Sequence, residues 1–239
     1  PWFLFCVVRE HALLRKLVMS ERPDMILSDN CYGAWHPSAR SFIITHQLHP
    51  HVAQGCPRWV ERAVSHVLCL MMRRFDGCLV PDVRIGGLSG DLSTPVPKGL
   101  RAHAIGCLSR LSMAGERPSE EVVEWLGVVS GPEPQRGMME RSLIDRFASL
   151  DGRRVVVCGR DPASRLNAKV ANGVEIIPYA DAATLKALML AARHIVCRSG
   201  YSTIMDLYAV GRRAELIPTP GQAEQEYLAK RLQDSRNWP

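Results

Sequence analysis

The sequence lacks the patterns that mark several large classes of protein. Its eight cysteines are scattered, and no two of them form the C-x-x-C pair common in zinc sites and redox motifs. No apolar run approaches the roughly 20 residues that a membrane-spanning helix needs. No dense run of Lys and Arg is interleaved with aromatic residues, as in many nucleic-acid-binding segments. We therefore expect free thiols in a reducing compartment, no membrane span and no nucleic-acid partner.

A dinucleotide fingerprint is missing as well. The motif G-x-G-x-x-G lets a backbone turn approach the pyrophosphate of a nicotinamide cofactor, and it does not occur in the chain. An enzyme of the usual nicotinamide type is therefore disfavoured, and no bound cofactor is expected.

The composition is that of an ordinary globular protein with 239 residues, of which 46% are hydrophobic and 23% charged. This length suffices for two modest domains. A polar segment with Gly and Pro at 112–119 predicts the boundary, which gives domains 1–118 and 119–239. The chain starts at Pro1 without a signal-peptide pattern, so we expect its N-terminus to be a cut inside a longer protein.

The net charge of +6 is unevenly divided. Residues 1–118 carry 14 Lys or Arg against 9 Asp or Glu, whereas residues 119–239 carry 16 against 15. In the first half, the segment 59–74 has an amphipathic helical pattern rimmed by arginines. Such a helix is either part of the core or a peripheral contact with an anionic membrane surface.

Short apolar runs alternate with helical patterns along the chain, which predicts an α/β protein with parallel sheets covered on both faces. Ligands bind such sheets at the carboxyl ends of the strands. Asp29 and His46 follow two strands predicted in the first half. Each is either a helix cap or a residue of a site.

The stretch 194–228 is the most informative part of the sequence. It predicts a strand at 194–197, a break at 198–200, a helix at 202–210 and a short strand at 216–217. A helix that starts beside the end of a buried strand offers N–H groups and a partial positive charge to a phosphate. The pattern therefore predicts an anion site at this turn.

Three motifs of this stretch carry a resemblance to a known family. Ser199-Gly200-Tyr201-Ser202-Thr203 is followed by Asp206 and then by Glu224-Gln225. Their order and spacing resemble the C-terminal domain of family 28 glycosyltransferases, a GT-B family that includes the bacterial N-acetylglucosaminyl transferase making lipid II. The resemblance implies a GT-B fold with two Rossmann-like domains, the first of them truncated in this chain.

The resemblance also implies a donor site. Ser199, Gly200 and Thr203 would hold the diphosphate, Asp206 the ribose, and Glu224 with Gln225 the sugar. Further donor contacts are implied in the turns after other strands of the second half. They are Gly131, Gln135 and Arg136 after its first strand, Tyr179 near the uracil, and Arg198 at the leaving diphosphate. Arg136 could instead be a solvated loop charge, and Tyr179 could pack on the surface.

The implied reaction moves a hexosyl group, in this reading N-acetylglucosaminyl, from a UDP-sugar to a hydroxyl of a lipid-linked or saccharide acceptor. The chain has no Asp-x-Asp pair, which holds a divalent metal in the other main transferase fold, so no metal is expected. A base must take the acceptor proton. The family's leading candidate is a His in a glycine-rich loop that would lie before Pro1. Within this chain His46 and Asp29 are the substitutes.

Two alternatives to a transferase stay open. The same fold serves nucleotide-sugar 2-epimerases, and a fragment or subunit could bind the nucleotide sugar without catalysis. The resemblance places the protein in the cytoplasm, with membrane association on the cytoplasmic face.

Overall fold

A computed structural model describes residues 2–51, 57–115, 121–160, 168–234 and 238. The chain divides into two compact units, Pro1–Gly106 with Arg236–Pro239, and Cys107–Ser235. The division therefore comes before the predicted boundary at 118, a position that lies outside the described residues. Hydrogen bonds tie the segment 107–115 to the second unit, for example from Lys186 Nζ to the carbonyl of Ala114 at 2.9 Å.

The first unit contains a parallel sheet whose order is β1-β2-β3-β4 within the described residues. Its elements are α1 (Trp2–Glu21), β1 (Met25–Asp29), β2 (Arg40–Ile44), α2 (Arg58–Met72), β3 (Gly77–Val80), a 3-10 turn (Gly90–Leu92) and β4 (Ala102–Ala104). Helix α2 packs on the sheet through Leu68 and Met72, which join Ile43 and Val80 in the core. The loops after the strands are thereby held at one edge.

The apolar residues of α2 are divided between two faces. Leu68, Cys69 and Met72 are buried, whereas Val64 and Val67 are 37% and 43% exposed. The helix carries more apolar residues than its core-facing side can cover, and the remainder faces outward.

A buried carboxylate organises the loop after β3. Asp82 is fully buried and accepts hydrogen bonds from the backbone N–H of Leu88 (3.0 Å) and of Ser89 (2.9 Å), and from Ser89 Oγ (2.6 Å). A Cβ at Gly87 would lie 2.4 Å from Asp82 Oδ1, so only glycine fits there. These bonds satisfy a charge that would otherwise be costly to bury.

The second unit contains a larger sheet with the order β10-β9-β5-β6-β8-β7 within the described residues. Its strands are β5 (Val123–Val128), β6 (Arg154–Val157), β7 (Lys169–Ala171), β8 (Val174–Ile177), β9 (Ala192–Arg198) and β10 (Glu215–Ile217). Its helices are α3 (Gln135–Ala148), α4 (Ala182–Ala191), α5 (Tyr201–Ala209) and α6 (Ala223–Gln233). Close packing fixes α3 on the sheet, because a Cβ at Gly127 would lie 3.0 Å from Leu143.

All the strand pairs in this sheet are parallel except β7 with β8. This antiparallel hairpin departs from the purely parallel sheet that was predicted. Its turn is Asn172-Gly173, with φ of 52° and 73°. Both residues adopt the left-handed conformation that Asn-Gly favours in tight hairpins, so the signal was present in the sequence. The α/β class itself is confirmed.

The seven cysteines within the described residues are all free thiols, as predicted. Burial raises the pKa of the Cys78 and Cys197 thiols to about 12. None of the helices in the described ranges is both long and apolar enough to cross a membrane.

Candidate functional site

The candidate site lies at the carboxyl edge of the sheet in the second unit. Strands β5, β6, β9 and β10 run parallel there, so the turns that follow them meet at the same edge. Three of these turns lead directly into a helix, β5 into α3, β9 into α5 and β10 into α6. The predicted donor residues are distributed over these turns and helix starts.

The turn after β9 leads into α5 without a side-chain cap from the N-cap residue, which is Gly200, and without an acidic residue in the first turn. Ser202, in the first turn, is exposed. The first N–H groups of a helix lack intrahelical acceptors and carry the positive end of its dipole. An anion bound at Gly200–Thr203 would supply those acceptors.

Thr203 and Asp206 are three residues apart on α5, so they lie on one face of the helix. Asp206 is half-buried, and its Oδ1 accepts a hydrogen bond of 2.5 Å from Ser109 Oγ. Burial raises the pKa of Asp206, while the Ser109 hydrogen bond and the charge of Arg110 act in the opposite direction. Gly200, Thr203 and Asp206 thus lie at the start of α5 and on α5 itself, and their contacts with a donor stay a prediction.

Arg198 has a different role from the predicted contact with the diphosphate. It is the last residue of β9 and only 5% exposed. Its guanidinium donates to the carbonyls of Pro218 (2.9 Å) and Gln135 (3.0 Å). Burial lowers the pKa of Arg198. The side chain is therefore used to join the ends of β9 and β10 to the start of α3.

The side chain of Ser199 is also used internally. Ser199 is fully buried, and its hydroxyl donates to the carbonyl of Gln225 at 2.8 Å. This bond fixes α6 beside the start of α5. Of the predicted contacts of Ser199, only those of its backbone remain open to a ligand.

Glu224 and Gln225 lie in the first turn of α6. The Gln225 side chain accepts from the N–H of Thr219 (2.9 Å) and donates to Gln222 Oε1 (2.6 Å). Gln222 is exposed and precedes the helix as its N-cap residue. Gln222 is therefore an exposed amide at this edge, and it was not among the predicted donor residues.

The turn after β5 carries its own negative charge. Helix α3 begins at Gln135, so Gln135 and Arg136 belong to its first turn. Gly131 has φ of +101°, which explains the glycine. Glu133 Oε2 accepts from the N–H of Gly137 at 3.0 Å, and this bond chiefly lowers the pKa of Glu133. The start of α3 already holds a carboxylate.

Arg136 is neutralised by neighbouring carboxylates. It forms ion pairs with Glu133 and with Glu140, the latter at 3.3 Å, and donates to the carbonyl of Cys158 at 3.1 Å. Glu140 is buried and also pairs with Arg160 at 2.5 Å. The predicted phosphate contact of Arg136 is therefore replaced by this network. The i, i+4 spacing of Arg136 and Glu140 could have indicated it.

A cavity of about 370 Å³ lies between α3 and the ends of β9 and β10. Its lining is mostly apolar and includes Met138, Ile217, Pro218 and Pro220, with Gln135 and Arg198 as polar members. The cavity offers a planar or apolar group a place beside the start of α5.

The remaining predicted residues lie at strand ends. Tyr179 follows β8 and is 42% exposed. In the first unit, Asp29 ends β1 and pairs in register with Ile44, and His46 follows β2 by two residues. Asp29 and His46 are thus at the carboxyl edge of that sheet, and their catalytic role stays a prediction.

The described residues contain no group of three or more His, Cys, Asp or Glu side chains that could hold a metal ion. Chemistry without a metal stays a prediction.

Comparisons with known proteins agree with this architecture. Residues 146–237, less than half of the chain, match the glycosyltransferase family 28 C-terminal domain. A stretch of 57 residues is 42% identical to the UDP-N-acetylglucosamine--N-acetylmuramyl-(pentapeptide) pyrophosphoryl-undecaprenol N-acetylglucosamine transferase of Methylobacterium radiotolerans. The same enzyme of Methylorubrum populi matches equally. The stretch covers 24% of this chain and 15% of each relative.

Solved structures resemble nearly the whole chain. The glycosyltransferase of kitacinnamycin has a TM-score of 0.63 at 19% identity, over 95% of this chain and 66% of that protein. SnogD from Streptomyces nogalater has a TM-score of 0.54 at 15% identity, over 100% and 72%. MnaA of S. aureus in complex with UDP has 0.57 at 13% identity, over 99% and 74%. At these identities the likeness shows the fold, and the predicted GT-B fold is confirmed.

Proposed function

We propose that the second unit binds a UDP-sugar and that the protein transfers its hexosyl group to an acceptor hydroxyl. The start of α5, which has no acidic residue in its first turn, and Asp206 on the same helix carry this proposal. The first-turn N–H groups suit a diphosphate, and the carboxylate suits the hydroxyls of a ribose. The match of 146–237 to a glycosyltransferase domain supports the same reading.

The proposed donor sugar is N-acetylglucosamine. The curated relatives are named as transferases that use UDP-N-acetylglucosamine, and one solved neighbour is a complex with UDP. The matched stretch covers 24% of this chain and 15% of each relative, so the identity of the sugar is a proposal.

The proposed reaction requires stabilisation of the negative charge that forms on the leaving diphosphate. As the glycosidic bond breaks, the leaving diphosphate gains negative charge, which the N–H groups and dipole at Gly200–Thr203 would stabilise without a metal. The acceptor hydroxyl loses its proton to a base, for which we propose His46 or Asp29. Arg198 would contribute indirectly, since it fixes the strand ends that shape the site.

The acceptor is proposed to be a lipid-linked or other saccharide. The first unit exposes large apolar side chains on α1, including Trp2 (74%), Phe5 (54%) and Val8 (68%). Arg9 and Arg15 are exposed on the same helix. Apolar side chains flanked by cations favour peripheral contact with an anionic membrane, which we propose on the cytoplasmic face.

Calorimetric titration with UDP and UDP-N-acetylglucosamine tests the donor site. Asp206→Ala is expected to lower UDP affinity by about tenfold or more, because a charged hydrogen-bond partner is lost. Asp145→Ala on the exposed side of α3 is the matched control. Equal affinity of wild type and Asp206→Ala would contradict the donor site.

A transfer assay separates the activities that share this fold. Sugar transferred to an acceptor supports the transferase. Release of N-acetylmannosamine without an acceptor would favour a 2-epimerase, and binding without turnover would leave a nucleotide-sugar-binding protein.

A further inference from the structure

Ser109 joins the candidate site from a segment remote in sequence. It follows β4 by five residues and lies 97 positions before Asp206, to whose Oδ1 it donates at 2.5 Å. Its oxygen accepts a hydrogen bond of 3.0 Å from the N–H of Leu111. One lone pair of the hydroxyl is thus occupied, and its single hydrogen is directed to the carboxylate.

The segment that carries Ser109 is fixed on the second unit. Leu111 is fully buried, and the carbonyl of Ala114 accepts from Lys186 Nζ at 2.9 Å. The residues directly after Ser109 are therefore anchored on the second unit, and they hold its contact with Asp206.

We propose that Ser109 is a positioning residue that holds the Asp206 carboxylate for the hydroxyls of a ribonucleotide. This inference rests on the proposed donor site. Ser109 takes Oδ1, and Oδ2 carries no hydrogen bond from the described residues. A carboxylate fixed in this way presents Oδ2 to the ribose without losing rotamer freedom on binding. The arrangement selects ribonucleotides, since a 2′-deoxyribose lacks one hydroxyl to donate.

The protonation state of Asp206 follows from the same contacts. Burial raises its pKa, whereas Ser109 and the Arg110 charge favour the ionised form. Removal of the Ser109 hydroxyl raises the pKa of Asp206 further. Ribose hydroxyls donate best to the ionised carboxylate, so UDP binding should then require a higher pH.

The test compares Ser109→Ala with wild type by calorimetric titration of UDP and 2′-deoxy-UDP across the pH range. The expected result is an affinity for UDP about fivefold to tenfold weaker. We also expect the pH at which UDP affinity is half-maximal, called here the pH midpoint, to move upward. The preference for UDP over 2′-deoxy-UDP should become smaller. Ser109→Thr, which keeps the hydroxyl, should restore all three. Ser149→Ala is the control, because that exposed hydroxyl donates only to the local carbonyl of Arg146.

A structural role alone would lower the melting temperature without moving the pH midpoint or the nucleotide preference. An Ala variant that keeps both of these overturns the inference. If the Ala variant does not fold, Ser109→Cys replaces it, since a thiol is similar in size but a weak donor. A Cys variant with wild-type midpoint and preference likewise overturns the inference. Failure of wild type to bind UDP would instead overturn the proposed function, and this inference with it.

Discussion

The starts of α3 and α5 look alike in sequence and differ in chemistry. Each follows a buried parallel strand at the same sheet edge and contains a glycine in the turn. At α3, Glu133 accepts from the N–H of Gly137 and pairs with Arg136. At α5, no described side chain caps Gly200. A helix start binds an external anion only when the chain has not already supplied one.

The position of carboxylates separates the two starts further. Around α3, Glu133 and Glu140 neutralise the cation that the sequence offered as a phosphate contact. On α5 the acidic residue is Asp206, which lies beyond the first turn and does not cap its N–H groups. The following four substitutions test this contrast.

Arg198→Met should have the largest effect, because this side chain joins the ends of β9 and β10 to the start of α3. The carbonyls of Pro218 and Gln135 each lose a charged donor, so we expect the free energy of unfolding to fall by about 2 kcal/mol. Thermal and urea unfolding measure it. The control is Arg193→Met on the same strand. The ion pair of Arg193 with Glu124 is exposed, so its loss should lower the free energy of unfolding by less than about 0.5 kcal/mol. Equal stability of the two variants would refute the role given to Arg198.

Ser202→Glu places a carboxylate at the start of α5, as Glu133 does at the start of α3. A carboxylate in the first turn should repel the diphosphate and lower UDP affinity by about tenfold. Folding stability should not fall, since an acidic side chain is favourable near a helix N-terminus. Titration with UDP and thermal unfolding report the two effects. Ser202→Gln controls for the size of the side chain. An undiminished UDP affinity of the Glu variant would contradict a diphosphate site at this turn.

Glu133→Gln removes the carboxylate from α3. The pKa of Glu133 is lowered in the folded state, so its contribution to stability is present above its unfolded pKa and is lost as the pH falls through the folded one. Wild type should be the more stable at neutral pH, and the two melting temperatures should converge in acid. UDP affinity should stay within about twofold of the wild-type value. A larger change would indicate that the turn after β5 takes part in the donor site.

Gly200→Ala should have the smallest effect. Gly200 has φ of −69° and ψ of 139°, and a Cβ there meets no atom within 4 Å, so Ala fits the conformation. Stability should fall by less than about 1 kcal/mol. UDP affinity should fall about threefold if the diphosphate approaches the backbone. Titration decides, and an unchanged affinity would place the diphosphate farther from the turn.

Much of the fold could be predicted because local patterns were consistent with it. The strand predicted at 194–197 lies within β9, and the helix predicted at 202–210 matches α5 to within one residue at each end. The β7–β8 hairpin was missed although Asn172-Gly173 signals it.

The site was predictable only in part. The motif from Ser199 to Asp206 indicated the helix, and Gly200, Thr203 and Asp206 lie at its start and on it. The motif could not indicate which side chains remain available. Arg198, Arg136 and Gln225 were predicted as contacts, yet each is engaged by groups of the protein itself. Ser109 was outside the predicted site because 97 residues separate it from Asp206.

The sequence by itself determined the α/β class, the parallel strands and the turn at which α5 begins. These depend on periodicity and on Gly and Pro, which act over a few neighbouring residues. Only the tertiary structure decided that Glu133 occupies the start of α3, and that Ser109 meets Asp206. Hydrogen-bond partners are chosen by proximity in space, and for these buried groups the partners come from distant parts of the chain.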